Sequence, residues 1–185
     1  MVESGLVGRS ETAKVTYLGV AGGYIWDKNA KAGHQMYMSQ EYTFQDEVKE
    51  RSGAAYEKLV GKVTRVLFME GKFGDVLNVS VTVLTGEIFV LGIKMGSRNS
   101  TPMMKGLLMA DLEKDIMISP YDFISKETGK RVVGLSFRQD GEKIKLSEFD
   151  GKSPTQAKEF FTTAGSKKIK RFFEDVEEWF QAEVE

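Results

Sequence analysis

Lysine and arginine recur beside aromatic residues through the middle of this chain. Lys62 and Arg65 are followed by the pair Lys72-Phe73, then by Lys94 and Arg98, then by Tyr121 and Phe123. Lys126, Lys130 and Arg131 come next, and Phe137-Arg138 ends the series. Cations at this density can neutralise phosphates, and flat rings beside them can stack on unpaired bases. A positive groove with stacking platforms is what single-stranded nucleic acid needs. Phe89, Phe123 and Phe137 can serve the core, and Phe123 is also among the candidate DNA-binding residues. Tyr121, whose hydroxyl prefers a wet edge, and Phe73, at a turn tip, are the better stacking candidates. Upstream, Tyr37, Tyr42 and Phe44 lie in a polar stretch, 27–53, that reads as a long loop or arm able to close over a bound strand.

Other chemistries have little to work with. The chain has one histidine, His34, and no cysteine. Zinc sites of the usual nitrogen–sulfur type therefore cannot be assembled. A catalytic triad would rest on His34 alone, with no nucleophile motif nearby. Gly19, Gly22 and Gly23 match neither a phosphate loop nor a dinucleotide fingerprint. The expectation is a non-catalytic protein with no metal and no cofactor. The lack of cysteine suits a reducing compartment. Residues 1–11 hold no apolar stretch of signal-peptide length, and no run of 18 apolar residues occurs, so the expectation is a soluble cytoplasmic protein with no membrane role.

The charge is unevenly divided. All 26 Lys and Arg residues precede position 172, and the last twelve residues, 174–185, hold six acids and no base. With 21 of the 27 acids in residues 1–173, the body carries +5 and the tail −6. A tethered acidic segment can compete for a basic surface or recruit a basic partner. Residues 166–184 read as an amphipathic helix with Ile169, Phe172, Phe173, Val176, Phe180 and Val184 on one stripe. Its lysines stand at the N-terminal end and its acids at the C-terminal end, against the helix dipole. Either packing of the apolar stripe overrides this layout or the acidic end has another role. Glu174, Asp175, Glu177, Glu178, Trp179 and Phe180 are the candidate partner-binding or regulatory residues.

These residues need a scaffold, and the middle of the chain specifies one. Val15–Leu18 and Tyr24–Trp26 read as a strand pair around Ala21-Gly22-Gly23. Lys58–Met69 is a long strand candidate. In Val76–Leu84, Leu77, Val79, Val81 and Val83 alternate with Asn78, Ser80 and Thr82, the period-two signature of a strand with one buried face. Thr85-Gly86 turns the chain into Glu87–Lys94. Residues 99–111 switch to helical spacing, with Ser100 or Thr101 as N-cap and Pro102 at the first helical position. Asp115–Ile124 and Arg131–Arg138 are two further strands. Three strands, a helix and a hairpin is the order of the OB-fold, a five-stranded partly open barrel. The expected fold is thus mainly β: an OB barrel with a helix between its third and fourth strands, extra N-terminal strands and a C-terminal amphipathic helix. Residues 1–152 would form the OB domain with its arm, and 153–185 a helical segment with the acidic tail.

The stretches Gly61-Lys62-Val63-Thr64-Arg65-Val66, Gly71-Lys72-Phe73-Gly74-Asp75-Val76-Leu77-Asn78-Val79, Ile118-Ser119-Pro120-Tyr121-Asp122-Phe123 and Lys130-Arg131-Val132-Val133-Gly134-Leu135-Ser136 resemble bacteriophage single-stranded DNA-binding replication proteins with an OB-fold. The resemblance spans roughly residues 58–146. It implies sequence-independent coating of exposed single strands in replication, recombination or repair, inside the host cytoplasm. It also implies an acidic tail that contacts replication or recombination proteins and shields the groove. The chain departs from bacterial-type tails, which close on a terminal Phe: here the last residues are Ala182-Glu183-Val184-Glu185.

The expected partner is single-stranded DNA, with RNA as an alternative because stacking platforms read the sugar weakly. Homo-oligomers are compatible with this reading. The rival class is a structural or adaptor β-barrel protein, such as a virion or assembly component, without nucleic-acid binding. Removing residues 174–185 should tighten single-strand binding at low salt, and the gain should shrink as salt rises, because exposed charges are screened beyond about 10 Å at 0.1 M. Equal affinity of the full and shortened chains at low salt would refute the competing-tail idea.

Overall fold

Strict alternation over Val76–Thr82 puts Leu77, Val79 and Val81 fully inside, and the sheet is organised around that strand. A computed structural model describes residues 14–70, 72 and 74–146. In chain order the elements are β1 (Val15–Ala21), β2 (Tyr24–Asp27), β3 (Tyr37–Phe44), β4 (Glu47–Tyr56) and β5 (Leu59–Met69). They continue with β6 (Val76–Thr82), β7 (Ile88–Lys94), α1 (Ser100–Met109), β8 (Asp115–Ile124), β9 (Arg131–Gln139) and the short β10 (Glu142–Lys143). The described residues are mainly β, as their alternation predicts.

All ten strands belong to one sheet, ordered β10-β9-β8-β5-β6-β7-β1-β2-β4-β3. Strands β5, β6 and β7 form an antiparallel meander, β8 pairs antiparallel with β5, and β9 with β8. This sheet is open and does not close on itself, where a five-stranded, partly open barrel was expected. Closing such a barrel would bring β9 beside β7. Instead β1 occupies that edge of β7 in parallel register, from Val15 opposite Ile88 to Gly19 opposite Gly92. The N-terminal strands are therefore integral to the sheet. Leu18 and Ile25 enter the same core as Leu77, Leu91, Ile93, Ile116, Ile118 and Phe137.

Most of the stretch 27–53, expected as a long loop or arm, is a β-hairpin. β3 and β4 pair without interruption from Tyr37 opposite Ala54 to Phe44 opposite Glu47. The two-residue turn, Gln45-Asp46, has φ of 51° and 63°, the left-handed pair that matches the twist of a hairpin. Only residues 54–56 of β4 pair with β2, so the rest of the hairpin extends beyond that ladder as an arm.

α1 closes the core from one side with Met103, Met104 and Leu107, each fully buried and each contributing about 1.5–3 kcal/mol. Its N-cap is Asn99, one residue before the expected cap, and Pro102 still falls within the first turn. The helix approaches β9 closely because Gly106 has no side chain: a Cβ there would lie 2.6 Å from the Phe137 ring. Expectations for Phe73, for the helices after residue 152 and for Glu174, Asp175, Glu177, Glu178, Trp179 and Phe180 lie outside the described residues. Among the described residues no helix is long and apolar enough to cross a membrane.

Gly106→Ala tests this packing. Alanine improves helix propensity by about 1 kcal/mol, while overpacking against Phe137 costs about 1–3 kcal/mol. The variant should be less stable in chemical denaturation, and Phe137→Leu in the same chain should recover part of the loss. A more stable Gly106→Ala single variant would refute the contact.

Candidate nucleic-acid interface

A trough crosses the sheet on the face away from the core, where β7, β1 and β2 run side by side. Its floor is low because Gly19 of β1 sits directly opposite Gly92 of β7, so no side chain rises there. Lys94 follows from the end of β7 and Lys28 from just beyond β2, and the arm supplies Tyr42 and Arg51. Together with the buried Trp26 they enclose a cavity of about 320 Å³. The Arg51 guanidinium lies 4.1 Å from the Tyr42 ring centre and 6.0 Å from that of Trp26. Ring faces thus hold the cation in place. Its Nε is buried without a hydrogen-bond partner.

The trough continues into a second cavity of about 580 Å³ that shares Val20, Ala21, Arg51 and Asn99 with the first. Arg98 and Asn99, from the β7–α1 connection, line it. So do the Gly22-Gly23 turn, Tyr121 and Asp122 of β8, Lys130 just before β9, and Arg131 of β9. The two cavities together are lined by Lys28, Arg51, Lys94, Arg98, Lys130 and Arg131, and by one acid, Asp122, in the second. Asn99 is nine-tenths buried and its Oδ1 has no partner, although it occupies a position where this side chain normally caps the helix.

Asp122 is paired with Arg131. Arg131 Nε donates to its Oδ1 at 2.7 Å and the guanidinium makes a second bond to Oδ2, a two-pronged pair. That hydrogen bonding holds the Asp122 carboxyl below its ordinary range. Burial works against the shift, and the charges of Arg131, Arg51 and Arg98 add to it. Tyr121 lies against Gly134, and its ring centre is 5.9 Å from that of Phe123. Phe123 is 53% exposed, so of its two readings the core one is corrected and it lies at the surface; Phe137 is fully buried as expected and Phe89 is partly buried.

The arm has two unlike faces. Phe44, Tyr42 and Gln40 share one with their cross-strand neighbours Glu47, Lys49 and Arg51. Lys49 lies 5.0 Å from the Phe44 ring centre, repeating the contact of Arg51 with Tyr42. The opposite face carries Glu41 directly across from Glu50, together with Ser39, Thr43 and Val48. The basic, aromatic face is the one that borders the trough.

Of the residues picked out in the sequence, Lys94, Arg98, Tyr121, Lys130, Arg131 and Tyr42 come together in these cavities, with Phe123 and Phe44 at their borders. Lys62, Arg65, Lys72 and Lys126 line neither cavity. Arg138 lines a separate depression beside Asp115 and Asp140. Tyr37 lies on the other face of the arm. Arg51, Lys28, Lys49, Asn99 and Asp122 were missed. The charge spacing Lys49–Arg51, with Gln40–Tyr42–Phe44 alternating opposite, could have revealed the arm. Comparison with known families, curated proteins and solved structures finds no match.

Asp122→Asn should lower stability at pH 7. The native carboxyl titrates below its unfolded value of about 3.9, so the pair's contribution is complete above that pH and disappears as pH falls through the lower native value. Denaturation at pH 7 and pH 3 should show the gap between wild type and variant closing in acid. A gap of equal size at both pH values would refute this role.

Proposed function

We propose that this protein binds single-stranded DNA without strong sequence preference, along the trough that runs from the arm to the β8–β9 hairpin. The observation that supports this most is the gathering of six cations from separate parts of the chain around two joined cavities, with Tyr42, Tyr121, Phe123 and Phe44 alongside. Lysines and arginines would neutralise phosphates and release counterions. Rings at the border would stack bases. Readout of a duplex major groove by a helix is disfavoured, since Met103, Met104 and Leu107 commit α1 to the core. RNA would use the same stacking and phosphate contacts.

We further propose that β5–β9 with α1 is an OB-type unit opened at its closing seam. The β5-β6-β7 meander, the helix after it and the β8–β5 pairing support that reading. The N-terminal strands would then be an insertion at the seam that widens the binding surface. Coating of single strands during phage replication or recombination, with partners recruited by the acidic tail, is the biological role this chemistry fits.

Fluorescence polarisation of a labelled dT 30-mer, at two salt concentrations and with duplex and RNA competitors, tests the proposal. Binding should weaken with salt and resist duplex competition. Arg51→Ala should reduce the slope of log affinity against log salt by about 0.7. Tyr121→Ala should cost about 1–3 kcal/mol, or roughly 5- to 150-fold in Kd. Arg138→Ala and Lys62→Ala, outside the trough, should change Kd by less than about twofold. Loss of binding in Arg138→Ala with none in Arg51→Ala would overturn the assignment.

A further inference from the structure

We infer that two copies of this chain associate through the free edge of β3, pairing antiparallel about a two-fold axis at Gln40. The two ends of the sheet differ. β10 is two residues long, whereas β3 offers eight residues, paired to β4 with no bulge. Among the described residues no strand pairs with the outer edge of β3. That edge holds no proline and no lysine, the usual devices that blunt an exposed strand.

Which backbone groups face outward follows from the turn. A two-residue hairpin closes on a doubly hydrogen-bonded pair, here Phe44 and Glu47, and such pairs recur at every second residue. The even-numbered residues of β3 therefore bond to β4. The ladder's continuation agrees, since Ala55 N–H donates to the Met36 carbonyl at 3.0 Å. Tyr37, Ser39, Glu41 and Thr43 are left with N–H and C=O groups directed away from β4, and the last three are exposed.

An antiparallel pairing with Gln40 opposite the partner's Gln40 satisfies all of these groups. Tyr37 meets the partner's Thr43, and Ser39 meets the partner's Glu41. Shifting the centre to Glu41 would set two glutamates directly opposite each other, which is unfavourable. The Gln40 register avoids that contact. It also brings Met38 beside the partner's Tyr42, so the basic, aromatic faces of the two arms form one surface. The occupant is a second copy because the outward N–H and C=O groups of Tyr37, Ser39, Glu41 and Thr43 are matched one for one by the same groups of another β3, with no like charges directly opposite. The inference rests on the β3 backbone and stands apart from the nucleic-acid reading.

Sedimentation of the full chain, freed of nucleic acid, over a range of concentrations tests it. A monomer–dimer equilibrium is expected. Ser39→Glu places a carboxylate opposite the partner's Glu41 twice per dimer and should raise the dimer Kd roughly two- to thirty-fold. Ser39→Lys should lower it over a similar range, and adding Glu41→Lys to Ser39→Glu should restore the dimer. Ser39→Pro removes an outward N–H without touching the β4 ladder and should abolish the dimer with the circular-dichroism spectrum unchanged. A monomer at every concentration up to about 100 μM, or a dimer indifferent to the charge at position 39, would overturn the inference.

Discussion

The arrangement depends on the parallel ladder between β1 and β7. These strands are far apart in sequence, and their pairing joins the N-terminal strands to the meander. Through β1 it carries β2, and through β2 the arm. Arg51 and Tyr42 reach the residues at the end of β7 only because of this chain of ladders. The same pairing covers the edge of β7 that a closed barrel would have used. One backbone contact thus covers the edge of β7, joins the N-terminal strands to the meander and shapes the trough.

The position of the trough on the outer face of the sheet has a physical reason. The inner face is filled by Leu18, Ile25, Leu77, Leu91, Ile93 and Phe137, and burying several cations among them would carry a heavy desolvation cost. On the outer face, paired glycines lower the floor and the arm raises a wall. The cations there remain hydrated or lie against rings. Asp122 holds Arg131 by hydrogen bonds and attracts Arg51 and Arg98, which limits repulsion among them.

Much of the scaffold could be read from the sequence. The alternation of residues 76–84, the Thr85-Gly86 turn and the helical spacing after Asn99 each gave the correct element, because burial on one face imposes its period on the residues. That the arm is a β-hairpin was not legible, for two reasons. Its faces are distinguished by charge and aromaticity, so the apolar alternation that marks a half-buried strand is absent. Its turn is Gln45-Asp46, where a hairpin of this type usually uses Asn-Gly or Asp-Gly. That Lys62 and Arg138 lie outside the trough could not be foreseen, because a strand pattern shows which face a residue takes but not which part of the sheet it occupies. The bond between Asp122 and Arg131, nine residues apart across a hairpin, depends on register and needed coordinates.

The central claim is that a single strand lies in the trough between the arm and the β8–β9 hairpin. Photo-crosslinking of an oligonucleotide carrying 5-iodo-deoxyuridine, with mass-spectrometric assignment of the adducts, tests it most directly. The account predicts adducts at Tyr42, Phe44, Tyr121 and Phe123. Adducts concentrated at Tyr17, or around Met117 and Arg138, with none on the arm or the end of β8, would contradict it.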